Sequence, residues 1–492
     1  MKARIKSLLR RASAGSLHPA VALLAFAVLC RLIFLGARSL WFDEAKTLIL
    51  AQASVRDLPA MVRALEGISP LYFLVLHGWV ALFPDPLTAI RLFSALCGIA
   101  ALAVFLPLCR KAAPGSWKTA FFIGCFSSFW VHLSQDGRVY APLLLASLGQ
   151  AYGLLALTEE WSVGRLLGYS LAGAAGLYLH PFSGFTFAAG ALYGCAALRR
   201  RGAHLGYFLA AQAVAALLYA PWLSSLQAQM GRAHTSLLSE PLSWRQLALV
   251  AGTMLADLPF LSLAMEPWVR GLGLCALGLL AFGAFLRVRR ARIAWDGPGA
   301  FCVFHAAAPL IMVRAAEWAL QRPMTQPRYF VALSPFLYIL IALSADELRS
   351  RWARRVIMAL ALCGAFAYHL VGHVVDPRLE EMGRHLRSLT RPGDVVVHLQ
   401  PYYYLSLRYR YLPDREHRLL SEDDRVLSWD GLPGYAALMP KERLDPRQRY
   451  AVVDPMRTLF PSRIGAAEGR RLEDFACWDS PRAPMPKPAV GP

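Results

Sequence analysis

Two adjacent carboxylates, Asp43 and Glu44, stand in the run Ser39-Leu40-Trp41-Phe42-Asp43-Glu44-Ala45, directly after an apolar segment long enough to span a bilayer. Acidic side chains beside lipid are costly to keep, so a pair at the end of a span is a candidate functional site. A carboxylate there can accept a proton from an attacking hydroxyl or amine. The pair equally suits the first turn of a helix, where Asp caps well and both acids complement the helix dipole. Further polar groups carry matching chemistry: Glu66, the turn Gln135-Asp136-Gly137-Arg138-Val139-Tyr140, His180, and Gln326-Pro327-Arg328-Tyr329. Arginine offers a planar, permanently charged fork that matches phosphate oxygens. Carboxylates, arginines and a histidine gathered at one membrane face suit a phosphate-bearing lipid.

Each group also has a plainer reading. Asp136 and Arg138 are close enough in sequence for a local ion pair, and His180-Pro181 marks a turn between spans. Arg328 can anchor at headgroups by snorkelling. Arg314 and Glu317, three apart, are expected to pair with each other. The tyrosines at 402–404, 409 and 411 read as domain core. A divalent cation on Asp43, Glu66 and His180 is a candidate cofactor by ligand type alone, because hard cations take carboxylates. No ligand spacing supports it, and no metal-binding residue is assigned.

The elements that must hold these residues follow from composition. Of 492 residues, 56% are apolar and only 17% charged, with a mean hydropathy of +0.40. Several separate apolar runs of spanning length make this a polytopic helical membrane protein. The formal charge of +20 reflects 52 Lys+Arg against 32 Asp+Glu. The basic residues sit between apolar runs, where they set topology, so nucleic acid is excluded as a partner. Nine cysteines show no CxxC spacing and nearly all lie in apolar runs, as small hydrophobes do. The first apolar run, without a small-residue cleavage site, reads as a retained span.

Lys2, Arg4, Lys6, Arg10 and Arg11 keep the N-terminus cytoplasmic. The first span, about 19–36, then ends outside, and residues 38–69 form an external loop with one or two surface helices. Residues 70–83 are apolar but short. Reading them as interfacial places Arg110, Lys111, Lys118, Arg165, Arg199–Arg201, Arg287–Arg292 and Arg349–Arg355 on one side, as the Lys/Arg bias requires. The further spans are then roughly 88–109, 117–133, 139–157, 166–180, 182–198, 204–222, 266–286, 299–320, 328–345 and 355–373. That makes about eleven, with the C-terminus periplasmic. Residues 227–264 form an external stretch with a surface helix near 244–255. The transmembrane domain is residues 1–373. Residues 374–492 form a small external α/β domain with an amphipathic helix at 378–389, a tyrosine-rich helix at 402–411, strands at 394–399 and 450–453, and a disordered tail from about 480.

Trp41-Phe42-Asp43-Glu44 after the first span, the "PLYF" segment at 70–73 and Arg91-Leu92-Phe93-Ser94 together resemble the C-type superfamily of membrane glycosyltransferases. The likeness covers about residues 20–345 and extends to Gln135–Tyr140 and to Arg328-Tyr329-Phe330 with Ser334-Pro335. Within the superfamily it points to the bacterial protein O-mannosyltransferase and aminoarabinose- or galacturonic-acid-transferase group. The resemblance implies an inverting transfer from a polyprenyl-phosphate sugar to an envelope lipid, polysaccharide or protein, outside a bacterial inner membrane. It implies Asp43 as base with Glu44 beside it, and Asp136, Arg138, Tyr140, His180, Arg328 and Tyr329 as substrate-binding residues. Ser69-Pro70 departs from the two prolines common in the group. The rival reading, a transporter or flippase of lipid-linked sugars, requires ionisable residues spread through the membrane depth. The gathering on one face argues against it.

Overall fold

A span must satisfy its own backbone in lipid, and among the described residues seven helices are long and apolar enough to cross: Pro86–Ala112, Tyr140–Glu159, Gly202–Gln227, Met265–Arg289, Gly299–Leu320, Pro327–Glu347 and Arg351–Leu370. The chain is a multi-pass helical membrane protein. A computed structural model describes residues 19–38, 40–66, 68–232, 240–257, 262–290 and 298–371. It also describes residues 383–384, 386–388, 390–392, 395–398, 407, 411–412, 414–419, 450–453 and 476–478. Contacts divide the chain into two units, residues 1–37 with 50–373 and residues 38–49 with 374–492.

The first unit is helical. Its elements in chain order are α1 (Pro19–Leu32), then, after α2 (Phe42–Gln52), whose first eight residues belong to the second unit, α3 (Leu58–Leu65), α4 (Leu71–Val80) and α5 (Pro86–Ala112). α6 (Trp117–Phe126), α7 (Ser128–Gln135), α8 (Tyr140–Glu159), α9 (Val163–Leu179), α10 (Ser183–Leu198) and α11 (Gly202–Arg232) follow. α12 (Trp244–Leu255), α13 (Ser262–Arg289), α14 (Pro298–Leu320), a 3-10 turn (Pro327–Leu333), α15 (Ser334–Glu347) and α16 (Arg351–Val371) complete it. At about 1.5 Å per residue α4 is roughly 15 Å long, half a hydrocarbon core, so it does not cross by itself.

One expectation changes. The run 117–133 is two helices, broken at Ser127, which has ψ 121°. Ser127 Oγ accepts from Trp130 N and donates to Met254 O at 3.1 Å. Arg31 covers the carbonyls freed at the break. The stretch 227–264 lies in sequence between the candidate spans Gly202–Gln227 and Met265–Arg289, with α11 running on to Arg232 and α13 beginning at Ser262. The helix expected at 244–255 is present and packs against α13. A Cβ on Gly252 would sit 1.9 Å from Val269 O, and one on Gly273 would sit 1.8 Å from Ala248 O. Only glycines permit that approach.

In the second unit four strands, β1 (Val395–His398), β2 (Glu416–Leu419), β3 (Tyr450–Val453) and β4 (Ala476–Trp478), form a parallel sheet in the order β2-β1-β3-β4. Val395 aligns with Glu416 on one side and Tyr450 on the other. The continuous apolar run of β1 suits a central parallel strand. Most of the helices expected at 402–411 and 378–389, and the tail from 480, lie outside the described residues.

Candidate active site

The chain leaving α1 is clamped where it turns. Phe34 has φ 61°, a left-handed conformation that bulky residues rarely adopt. On either side of it, Gln135 Nε2 donates to Cys30 O at 3.0 Å and Ile33 O at 2.8 Å, while Arg91 Nη1 donates to Leu35 O at 2.7 Å. These bonds cap orphan carbonyls at the helix end. Two residues of the motifs quoted above therefore brace backbone. Ser94 likewise donates to Arg138 O at 3.3 Å. One turn further along α5, Gly98 lets α7 approach, since a Cβ there would meet Ser134 Oγ at 2.0 Å.

This frame fixes the turn that carries Arg138. Arg138 N donates to Asp136 O at 2.7 Å, and the guanidinium reaches Glu66, Nη1 to Oε1 at 3.0 Å and Nη2 to Oε2 at 3.4 Å. The two side chains are only 7% and 6% exposed. Arg138 thus pairs with Glu66; the Asp136 carboxylate is also buried, and it and Arg138 bear on the Tyr72 hydroxyl in opposite senses. The segment bearing Glu66 is pinned on both sides. Arg63 donates to Ser225 Oγ at 3.0 Å and lies over the Trp222 ring, and Ser69 donates to Tyr178 O at 2.5 Å. Ser69, where the resembling group has proline, supplies a hydroxyl that ties this loop to the turn before His180.

His180 ends α9 in an extended conformation and is buried. Its Nδ1 accepts from Phe182 N at 3.2 Å, and its carbonyl accepts from Ser183 Oγ at 2.7 Å. The ring packs against Tyr329 (4.9 Å between centroids), Phe182 (5.7 Å) and Tyr140 (6.1 Å). Burial, then the Arg138 and Arg328 guanidiniums, push the imidazole down to about 3, against a smaller opposing pull from Glu66. His180 is therefore neutral near pH 7, and with Nδ1 accepting, its proton sits on Nε2. Arg328 rests between two aromatic faces, 5.8 Å from Tyr140 and 5.9 Å from Tyr329, and its Nε donates to Gln326 at 3.2 Å.

Four separated stretches thus bring together Glu66, Arg138, Tyr140, His180, Arg328 and Tyr329. Around His180 the two guanidiniums outweigh the Glu66 carboxylate. Glu66, weighed from the sequence only as a metal ligand or an external acid, is a partner of Arg138; an acid just before Ser69-Pro70 was its one signal.

Asp43 and Glu44 belong to the second unit and open α2. Glu44 is fully buried and bonded to Arg38 at 3.1 Å. Asp43 keeps 17% of its side chain exposed, lies 3.8 Å from the Lys46 ammonium, and accepts Thr47 Oγ1 on its backbone oxygen at 3.0 Å. Of the two acids, Asp43 is the more accessible carboxylate and Glu44 the buried one. Glu317 pairs with Arg314 at 3.9 Å, as expected, and also accepts from Leu242 N, Met324 N and Thr325 Oγ1 at 2.8, 2.9 and 2.8 Å. Among the described residues no three His, Cys, Asp or Glu side chains gather as a metal site. Arg138 already engages both Glu66 oxygens, which makes that carboxylate a poor resident ligand for a cation.

The chain shares its fold with ArnT from Cupriavidus metallidurans in the apo state, with a TM-score of 0.54 and 13% identity over 86% of this chain and 89% of that one. The same ArnT bound to undecaprenyl phosphate matches with a TM-score of 0.53 and 14% identity, over 86% and 88%. An Archaeoglobus fulgidus oligosaccharyltransferase in complex with Zn and sulfate aligns at a TM-score of 0.44 and 12% identity, over 80% of this chain and 62% of that one. The chain therefore has the fold of ArnT. Neither a protein-family model nor a curated protein matches the sequence.

Proposed function

We propose that this chain transfers a sugar from a polyprenyl-phosphate carrier to an envelope acceptor, a lipid, polysaccharide or protein, on the external face of a bacterial inner membrane. The observation that carries the reading is the fold shared with ArnT bound to undecaprenyl phosphate. The Arg138–His180–Arg328 cluster adds the groups that a phosphate headgroup needs. In this reading about eleven passes leave the N-terminus cytoplasmic and the C-terminus periplasmic.

The reaction is one in-line displacement with inversion. Asp43 takes the proton of the acceptor hydroxyl or amine, whose lone pair forms the new bond to the anomeric carbon. The bond from that carbon to the phosphate oxygen breaks, and the carrier phosphate leaves with the electron pair. Arg138 and Arg328 stabilise the charge that develops there, and neutral His180 can donate from Nε2. Phosphate is a good leaving group, so no strong general acid is required. Asp136 braces the Arg138 turn, and Tyr140 and Tyr329 orient Arg328.

The test is purified protein with polyprenyl-phosphate sugars and candidate acceptors, the product being read by mass and anomeric configuration. Inverted product is expected, and Asp43→Asn should lower transfer by about 10²–10⁴, the usual range for a general base. Full transfer by that variant would remove Asp43 from the role. Movement of the carrier across vesicles without transfer would favour a flippase. Product mass separates hexosyl from pentosyl transfer, and a chelator in the same assay reads any assistance by a divalent cation.

A further inference from the structure

The fork of Arg138 is already filled. Glu66 bridges its two terminal nitrogens at 3.0 and 3.4 Å, which is how a phosphate would bridge them. Carboxylate and guanidinium are both buried, so the pair is not a casual surface contact. Their supports differ. Arg138 stands in a turn between α7 and α8, bonded through its own carbonyl to Ser94 and through its amide to Asp136. Glu66 is the residue that follows the eight-residue α3, extended at φ −126° and ψ 153°, where the chain has already left the helix, with its nearest backbone-segment anchors at Arg63 and Ser69, three residues away on either side. The cation's own backbone is tied to the frame, whereas the anion stands on the stretch between two anchors.

We propose that Glu66 is a displaceable internal anion: it holds Arg138 ready, yields the fork to the carrier phosphate, and takes it back as the spent carrier leaves. This rests on the reading above that Arg138 binds the carrier phosphate. The chemistry supplies the need. The donor is a phosphodiester with one negative charge, whereas transfer leaves a phosphate monoester with about −1.5 to −2 at pH 7. Two arginines bind that product more tightly than the substrate it came from. An internal competitor lowers the apparent affinity for both by the fraction of time the fork is open. It matters most for the product, whose release can limit turnover.

The experiment compares wild type, Glu66→Gln and Arg138→Met for binding of undecaprenyl phosphate in detergent micelles, and for inhibition of transfer by it. Gln keeps the size and one acceptor oxygen but loses the charge. Glu66→Gln is expected to bind undecaprenyl phosphate on the order of tenfold more tightly than wild type, with stronger product inhibition and a lower kcat. Equal or weaker binding by Glu66→Gln overturns the proposal and leaves Glu66 a structural partner. If wild type and Arg138→Met bind equally, it is the underlying phosphate assignment that fails. Should Glu66→Gln not fold, Glu66→Asp retracts the carboxylate by one methylene with the charge kept. Undecaprenyl phosphate should then raise its Tm more than it raises that of wild type, and an equal or smaller rise overturns the proposal.

Discussion

Arg31 and Arg138 are both buried, at 0% and 6% exposure, yet they do opposite work. Arg31 donates to Ala27 O at 2.8 Å, Cys125 O at 3.0 Å and Gly124 O at 3.1 Å. Its acceptors are backbone carbonyls, two of them left over where α6 breaks at Ser127. It staples α1 to that break, and no incoming anion has a reason to move it. Arg138 faces a carboxylate side chain at a helix end, beside a second guanidinium and a neutral imidazole. Burial and charge do not mark a functional arginine in this bundle. What marks it is a partner that can leave.

The sharpest way to break this comparison is to remove both arginines' side-chain functions and read activity per folded molecule. Arg138→Met combined with Glu66→Gln leaves neither partner stranded, so its cost in stability should be small. Transfer should fall by roughly 10²–10³, as when one electrostatic stabiliser is lost. Arg31→Met should leave transfer per folded molecule near wild type while lowering the yield of folded protein. Equal losses of specific activity in the two would end the distinction.

Arg31→Lys sharpens the same point at smaller scale. One ammonium nitrogen stands in for two guanidinium nitrogens, Nη1 on Ala27 O and Cys125 O and Nη2 on Gly124 O, so at least one charge-assisted hydrogen bond is lost, worth about 1.5–3 kcal/mol. The unfolding midpoint should drop with transfer unaltered. An unchanged midpoint would mean that the break at Ser127 is held by Ser127, Met254 and Tyr338 alone.

Much of this was readable from residue order. Apolar runs and their basic flanks gave the polytopic fold, and loop charges gathered Glu66, Arg138, His180 and Arg328 before any coordinates did. Other features were hidden for physical reasons. The break at Ser127 lies inside an unbroken apolar run, and hydropathy does not register a ψ of 121° at one serine. Spans α5 and α16 extend beyond their apolar windows, because helices continue through flanking Arg and Lys while hydropathy stops at them. The Glu66 partner of Arg138 is 72 residues away, beyond the reach of any spacing argument. Glu317 is half of the i,i+3 pair that spacing proposed, but spacing could not show the three donors from loop segments that also satisfy it.

Arg328→Lys tests the weaker half of the cluster. Lys keeps the charge but loses the flat face held near Tyr140 and Tyr329, an interaction of about 0.5–2 kcal/mol. The KM for the carrier-linked sugar should rise a few-fold to roughly tenfold, with kcat less affected, since bound substrate and transition state both use the contact. A fall in kcat alone would move Arg328 from holding the carrier to stabilising the departing phosphate.

The smallest effect comes from His180 and reads the electrostatics of the cluster directly. An unfolded histidine titrates near 6.5, whereas burial beside Arg138 and Arg328 pushes His180 down to about 3. Between those values the unfolded chain binds a proton that the folded chain refuses. Stability is therefore full above pH 6.5 and declines as pH falls toward 3, by at most about 1.4 kcal/mol per pH unit from this group. His180→Gln removes the term. Its unfolding midpoint should fall less steeply than that of wild type between pH 6.5 and 5, a window above the ordinary range of carboxylates. Parallel curves would mean that the folded imidazole accepts its proton normally. Undecaprenyl phosphate, by covering the guanidiniums with negative charge, should flatten the wild-type curve toward that of the variant. Arg31, bonded only to carbonyls, offers no such lever, and the pH dependence of an Arg31→Lys variant should run parallel to wild type.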